Sequence, residues 1–142
     1  MSKADQYIEL AKNNLLGFCH LINPDFKSPS HVKRIAHELM QVESGANKRL
    51  IISIPPRHGK SMLCSQLFPA WYLGRNPKKS IITSTYGQDL SNDFGRQIRD
   101  LVKQEMYQAI FPELELRKDT QSVNRMMTDR KSTRLNSSHR IR

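Results

Sequence analysis

Between Arg49 and Leu63 the chain reads RLIISIPPRHGKSML, and no other stretch limits its fold as much. A β-branched apolar run, Arg49 to Ile54, stops at Pro55-Pro56, and Gly59-Lys60-Ser61 then heads a new apolar pattern. The run predicts a short strand. Because it is fully apolar, it predicts a strand inside a sheet covered on both faces. Strand, tight loop, Gly-Lys-Ser and helix is the order of a phosphate-binding loop. In such a loop consecutive backbone N–H groups at a helix N-terminus face an anion, lysine reaches the β- and γ-phosphates, and the Ser or Thr hydroxyl ligates Mg²⁺. The glycine that ordinarily opens the loop is missing, and Ile54 stands in its place. The two prolines preset the bend by fixing φ but contribute no N–H, so the cradle rests on residues 57–61. Gly-Lys-Ser alone occurs by chance; its position at a strand-to-helix junction makes it informative.

The elements on either side complete an α/β pattern. ADQYIELAKNNLLGFCHLI reads as a helix, within an N-terminal helical segment over 1–27. SPSHVKRIAHELMQVESG carries helix punctuation: Ser28 as cap, Pro29 at the first position and Gly45 past the end. Val32, Ile35, Ala36, Leu39 and Met40 share one stripe of that helix. KSMLCSQLFPAWYLG reads as a helix ending near Gly74 that Pro69 should kink or interrupt. Ser80 to Tyr86 reads as a second strand. QDLSNDFGRQIRDLVKQEMYQAIFP reads as one long helix with Leu90, Phe94, Ile98, Leu101 and Val102 in period. Helix, strand, loop, helix, strand, helix predicts a parallel sheet with flanking helices and a right-handed crossover.

The net charge of +10 is shared unevenly. The last twelve residues, KSTRLNSSHRIR, hold four basic side chains and no acid, while residues 1–130 carry 19 basic against 13 acidic ones. That excess favours a polyanionic partner and equally fits a solvated basic surface. Only Leu135 and Ile141 are apolar in the tail, so residues 131–142 are expected to be disordered. The opening MSKADQYIEL lacks a signal core, and no run reaches the length of a membrane span. A soluble, intracellular protein is expected, with Cys19 and Cys64 as small buried residues.

IPPRHGKS, FPAWYLGRNP and IITSTYGQDLSNDFGRQIRDLV together resemble the large terminase subunit of tailed bacteriophages, from about Ser30 to about Arg130. The resemblance implies a P-loop NTPase-type parallel sheet over residues 28–130. It also implies an ATPase motor that pumps double-stranded viral DNA into a procapsid in the host cytoplasm. ATP and Mg²⁺ are the implied cofactors. The implied partners are the portal, the small terminase subunit and further copies of the chain in a ring, with no membrane. By the same resemblance Pro56, Arg57, His58, Gly59, Lys60, Ser61 and Met62 form the nucleotide cradle. Lys60 takes the phosphates, Ser61 takes Mg²⁺, and Arg57 corresponds to the loop arginine of relatives. Thr83 to Asp89 matches the motif implicated in coupling nucleotide state to DNA, with Thr85, Tyr86 and Gln88 as its carriers. Ser30 to Lys33 lies where relatives contact adenine.

The chain departs from the family where a strand should end in the paired acids of the Walker B motif. Past Pro112 the acids are Glu113, Glu115, Asp119 and Asp129, and no apolar strand ends in an acidic pair. The sheet is thus expected to be incomplete and the fold marginal and partly open. The chain reads as an N-terminal fragment that binds ATP without hydrolysing it, its last twelve residues foreign to the family. On the residues themselves, Arg57 fits either an arginine finger supplied in cis or a solvated loop residue, and His58 reads as a spacer. Two other functions remain open: a small P-loop kinase, and a basic nucleic-acid module using Lys78, Lys79, Arg96 and Arg99.

Overall fold

The computed structural model describes residues 1–122 and 125–130, so the tail 131–142, expected to be disordered, lies outside the described residues. The N-terminal helical segment divides into α1 (Lys3–Asn13) and α2 (Leu15–Ile22). Ser2 and Asp5 form a capping box at the start of α1, and the Ser2 hydrogen bonds hold the Asp5 carboxyl below its ordinary range. Asn14 makes the division. Its extended backbone closes α1 by donating its N–H to the Leu10 carbonyl, and its side chain opens α2 by accepting from the Gly17 N–H. After the Asn-Pro-Asp turn comes α3 (Ser30–Ser44), which buries Val32, Ile35, Ala36 and Leu39 and stops at Gly45 as its punctuation predicts. Pro29 rather than Ser28 sits at its cap. The Ser28 hydroxyl bonds instead to the His20 ring at 3.0 Å.

The next helical run is continuous from Lys60 to Arg75: α4 (Lys60–Met62), a π-helical turn (Leu63–Leu67) and α5 (Phe68–Arg75). Pro69 does not break it. In the π turn the Phe68 N–H reaches back five residues to the Leu63 carbonyl. The widened turn accommodates a ring that would otherwise clash with the preceding carbonyls. The long helix expected over 88–110 breaks at Gln104 into α6 (Gln88–Lys103) and α7 (Glu105–Ile110). At roughly 100° per residue, an unbroken helix would point Tyr107 about 180° away from buried Ile98. The break turns Tyr107 and Ile110 inward, and both become fully buried.

The parallel sheet expected from the sequence is not formed: the chain is mostly helical. Residues 49–54 and 80–86 pair with no strand among the described residues. The only ladder among the described residues joins β1 (Leu114–Ser122) to β2 (Arg125–Arg130), antiparallel, with Leu114 opposite Arg130 and an irregularity between Leu116 and Gln121. This hairpin falls where the sequence pattern seemed to fade. The physical reason for the correction is that apolar, β-branched residues favour extended backbone, whereas a strand needs a neighbour to take up its N–H and C=O groups. Residues 50–54 keep the alternation of an extended segment. Leu50, Ile52 and Ile54 pack on the core while Ile51 is 95% exposed. Coverage is therefore on one face, not two, and Ile82 at 94% exposure repeats the pattern.

One hydrophobic cluster unites the helices. It runs from Ala11, Leu15 and Phe18 through Ala36 and Leu39 to Leu67, Trp71, Val102, Tyr107 and Leu114. The two polar atoms of its largest side chains are satisfied. The Trp71 indole N–H donates to the Ala11 carbonyl at 3.1 Å, and the Tyr107 hydroxyl donates to the Ala70 carbonyl at 2.7 Å. Phe18 meets Tyr107 edge-on at 6.0 Å. Arg75 ties the end of α5 to its neighbours. It pairs with Glu43 at 3.1 Å, donates to the Lys12 carbonyl and lies over the Trp71 ring at 5.0 Å. Among the described residues no helix is long and apolar enough to cross a membrane.

Gly74 is where this packing is least forgiving, since a Cβ there would stand 2.4 Å from the Phe111 ring. Gly74→Ala should cost about 1–3 kcal/mol and lower the Tm in thermal circular dichroism, as overpacking does. Adding Phe111→Leu to that variant should recover part of the loss, and no recovery would mean that another contact makes Gly74 necessary.

Candidate functional site

Pro56 and Arg57 form a tight turn after the unpaired segment 50–55, and residues 55–62 are all exposed. Arg57 has φ +65°, the only positive φ of a non-glycine residue among those described, and Gly59 follows at +83°. Gly59 is the cap of the helical run, and its carbonyl accepts from the Leu63 N–H. A Cβ on Gly59 would meet nothing within 4 Å, so its backbone conformation rather than space makes glycine the fitting residue. With the two prolines silent as donors, the N–H groups of Arg57, His58, Gly59, Lys60 and Ser61 make no hydrogen bond among the described residues. Five successive unpaired donors, at the head of a helical run and beside the Lys60 ammonium, are chemically suited to an anion.

The loop's carbonyls are engaged instead. The His58 ring Nδ1–H donates to the Pro56 carbonyl at 2.9 Å and to the Pro55 carbonyl at 3.1 Å. His31, in the first turn of α3, donates from Nε2 to the His58 carbonyl at 3.1 Å, and the two rings meet edge-on at 5.6 Å. Only acceptors face these ring nitrogens, which settles where the protons sit. His58, read from the sequence as a spacer, braces the loop from within. His31 falls in the Ser30–Lys33 segment matched to the adenine contact of relatives, but its link to the loop was not foreseen, because nothing in linear order connects two residues 27 positions apart.

The second candidate segment is held separately. The Thr85 hydroxyl donates to the Gly87 carbonyl and contacts the Ser91 hydroxyl, both at 2.6 Å, which fixes the turn into α6. Tyr86 is 97% exposed, and the Gln88 side chain donates to Asn92 at 2.9 Å. No hydrogen bond or ion pair joins Thr85, Tyr86 or Gln88 to the 55–62 loop among the described residues. A groove of about 460 Å³ lies between the Cys64–Phe68–Tyr72 face and the extended segment 80–84, and it includes none of Pro56 to Met62. Of the four cations considered for nucleic acid, Arg96 pairs with Asp93 at 2.8 Å and Lys79 lies 5.9 Å from the Tyr72 ring centre. Arg99 is engaged as well, so three of these four cations already have partners.

Compared with known families, residues 51–141, well over half of the chain, match the family described as terminase large subunit, T4likevirus-type, N-terminal. The chain belongs to the terminase large subunit family. Its place is therefore in viral DNA packaging. No curated protein and no solved structure matches it. In this terminase chain the loop, the helical run to Arg75 and the Thr85–Gln88 segment all fall inside the matched region, whereas His31 lies ahead of it. No group of three or more His, Cys, Asp or Glu side chains able to hold a metal occurs among the described residues.

Cys64 lies one helical turn from Lys60 and reports on it. Burial pushes its thiol up from the ordinary value, and the Lys60 ammonium pulls it partly back. Burial carries Cys19 up to about 12. At pH 8 iodoacetamide should alkylate Cys64 well before Cys19, because the thiolate is the reacting form. Lys60→Met should slow the Cys64 reaction roughly two- to five-fold, the range of a partly screened charge at this spacing. Peptide mass spectrometry of the alkylated chain measures both rates.

Proposed function

We propose that the loop 55–61 of this terminase chain binds the phosphates of ATP. The observation that carries the proposal is the unbroken set of unpaired N–H groups from Arg57 to Ser61 at the head of the helical run. The Lys60 ammonium supplies positive charge to the β- and γ-phosphates, and the exposed Arg57 guanidinium supplies a second cation able to offset charge on the γ-phosphate. The residues fit a metal only in part. The Ser61 hydroxyl is exposed and free to ligate Mg²⁺, and the remaining positions would fall to phosphate oxygens and water. Bound there, Mg²⁺ would neutralise polyphosphate charge. Hydrolysis needs a carboxylate to orient water, and no carboxylate contacts the loop among the described residues, so binding is the activity assigned to this chain.

In the packaging role that its family carries, nucleotide bound at this loop would drive movement of double-stranded DNA. Thr85, Tyr86 and Gln88 would couple the two, in a ring of copies seated on a portal with the small subunit. The exposed Tyr86 ring at the start of α6 supports an outward-facing role for that segment. Neither the kinase nor the basic-module alternative draws support from an observed contact.

Titrating the purified chain with a fluorescent ATP analogue tests the loop. Lys60→Ala should weaken binding about ten-fold or more, since a charge-assisted hydrogen bond contributes roughly 1.5–3 kcal/mol. Arg57→Ala should weaken it less. Equal affinity in wild type and Lys60→Ala would remove the loop from nucleotide binding.

A further inference from the structure

Among the described residues no strand beneath the loop stiffens it, because residues 50–54 join no ladder there, and its own N–H groups are unpaired. Its shape therefore depends on what grips its carbonyls. Two imidazoles do so: His58 from within, through the Pro55 and Pro56 carbonyls, and His31 from α3, through the His58 carbonyl at 3.1 Å. Among the described residues the His31 bond is the only hydrogen bond tying residues 55–58 to another element.

That bond acts on a specific peptide. The His58 C=O and the Gly59 N–H belong to one planar trans unit and point in opposite directions. Gripping the carbonyl from the α3 side thus turns the Gly59 N–H the other way, and the αL conformation at Gly59 then leads into the Lys60 and Ser61 donors. We propose that His31 is a positioning residue for the phosphate loop, fixing the 58–59 peptide so that the donors from Gly59 onward are set before a ligand arrives. The proposal rests on the nucleotide reading above for its consequence, but not for the clamp itself. His31 needs one N–H at the Nε2 position and no charge, so a glutamine, whose amide nitrogen reaches about as far, can replace it and an alanine cannot.

Two readouts on the full chain test it, one of which involves no nucleotide. The Arg57–His58 bond is a trypsin site inside the clamped turn, and Lys48 and Arg49 are exposed sites outside it. His31→Ala should speed cleavage after Arg57 about five-fold, the effect of losing one hydrogen bond, with cleavage after Lys48 and Arg49 unchanged. His31→Gln should cleave at the wild-type rate. The fluorescent ATP analogue should bind His31→Ala about five-fold more weakly, and His31→Gln within two-fold of wild type.

Wild-type cleavage in His31→Ala, or cleavage in His31→Gln as fast as in His31→Ala, would overturn the proposal, since the bond would then hold nothing. If His31→Ala unfolds, faster cleavage after Lys48 and Arg49 will show it. The comparison of His31→Gln with His31→Leu, which fills the space without a donor, then decides: equal rates overturn the proposal. Protection at Arg57 that depends on His31 in a chain that ignores the analogue would uphold the clamp and sink the nucleotide reading alone.

Discussion

The indole of Trp71 is the fixed point of this molecule. It is buried, and its N–H finds an acceptor only in the Ala11 carbonyl, sixty residues earlier in the chain. Left unpaired, that donor would cost about 1–3 kcal/mol, so the approach of α1 to α5 is imposed by chemistry as well as by apolar area. One residue earlier the Ala70 carbonyl receives the Tyr107 hydroxyl, which brings α7 to the same run. Arg75 then closes the end of α1 through the Lys12 carbonyl. The N-terminal pair of helices and the C-terminal one are thus both referenced to a single run of helix, and the other end of that run is the loop 55–61.

This arrangement explains why the loop can be exposed and irregular without being arbitrary. Its C-terminal side continues into a helix anchored in the core at Leu63 and Leu67. The π turn between those residues lets Pro69 remain inside the run, so α5 carries Trp71 to its acceptor with no break in between. The other side rests on no sheet among the described residues, and two imidazoles take over the bracing. A left-handed arginine at 57 is compatible with that arrangement. Such a conformation costs about 1–2 kcal/mol for a side-chain-bearing residue and persists only where the surroundings impose it.

Residue patterning was most legible where a single element decides the outcome. The stripe of α3 and its stop at Gly45 follow from helical period and C-terminal glycine chemistry, and both stand in the structure. The Gly-Lys-Ser motif marked the helix start at Lys60, and the wider set of motifs pointed to the family that the comparison then matched. Patterning was least legible wherever two distant segments had to meet. Residues 49–54 and 80–86 have strand composition and no strand partner among the described residues. The break at Gln104 follows from where Tyr107 must point, which no window of α6 reveals. The β1–β2 hairpin was hidden because its pairing lies in register, not in composition.

By itself, the sequence determined the local conformations: helix stripes, the glycine stop, the proline-set turn and a run of donors that begins after two prolines. These depend on φ, ψ and side-chain period, which neighbouring residues control. Only the tertiary structure decided which extended segments pair, where the helices split, and that His31 grips the loop of which Gly59 is a part. Those outcomes depend on which N–H meets which carbonyl across tens of residues, and such a meeting is settled by the packing of the core around Trp71.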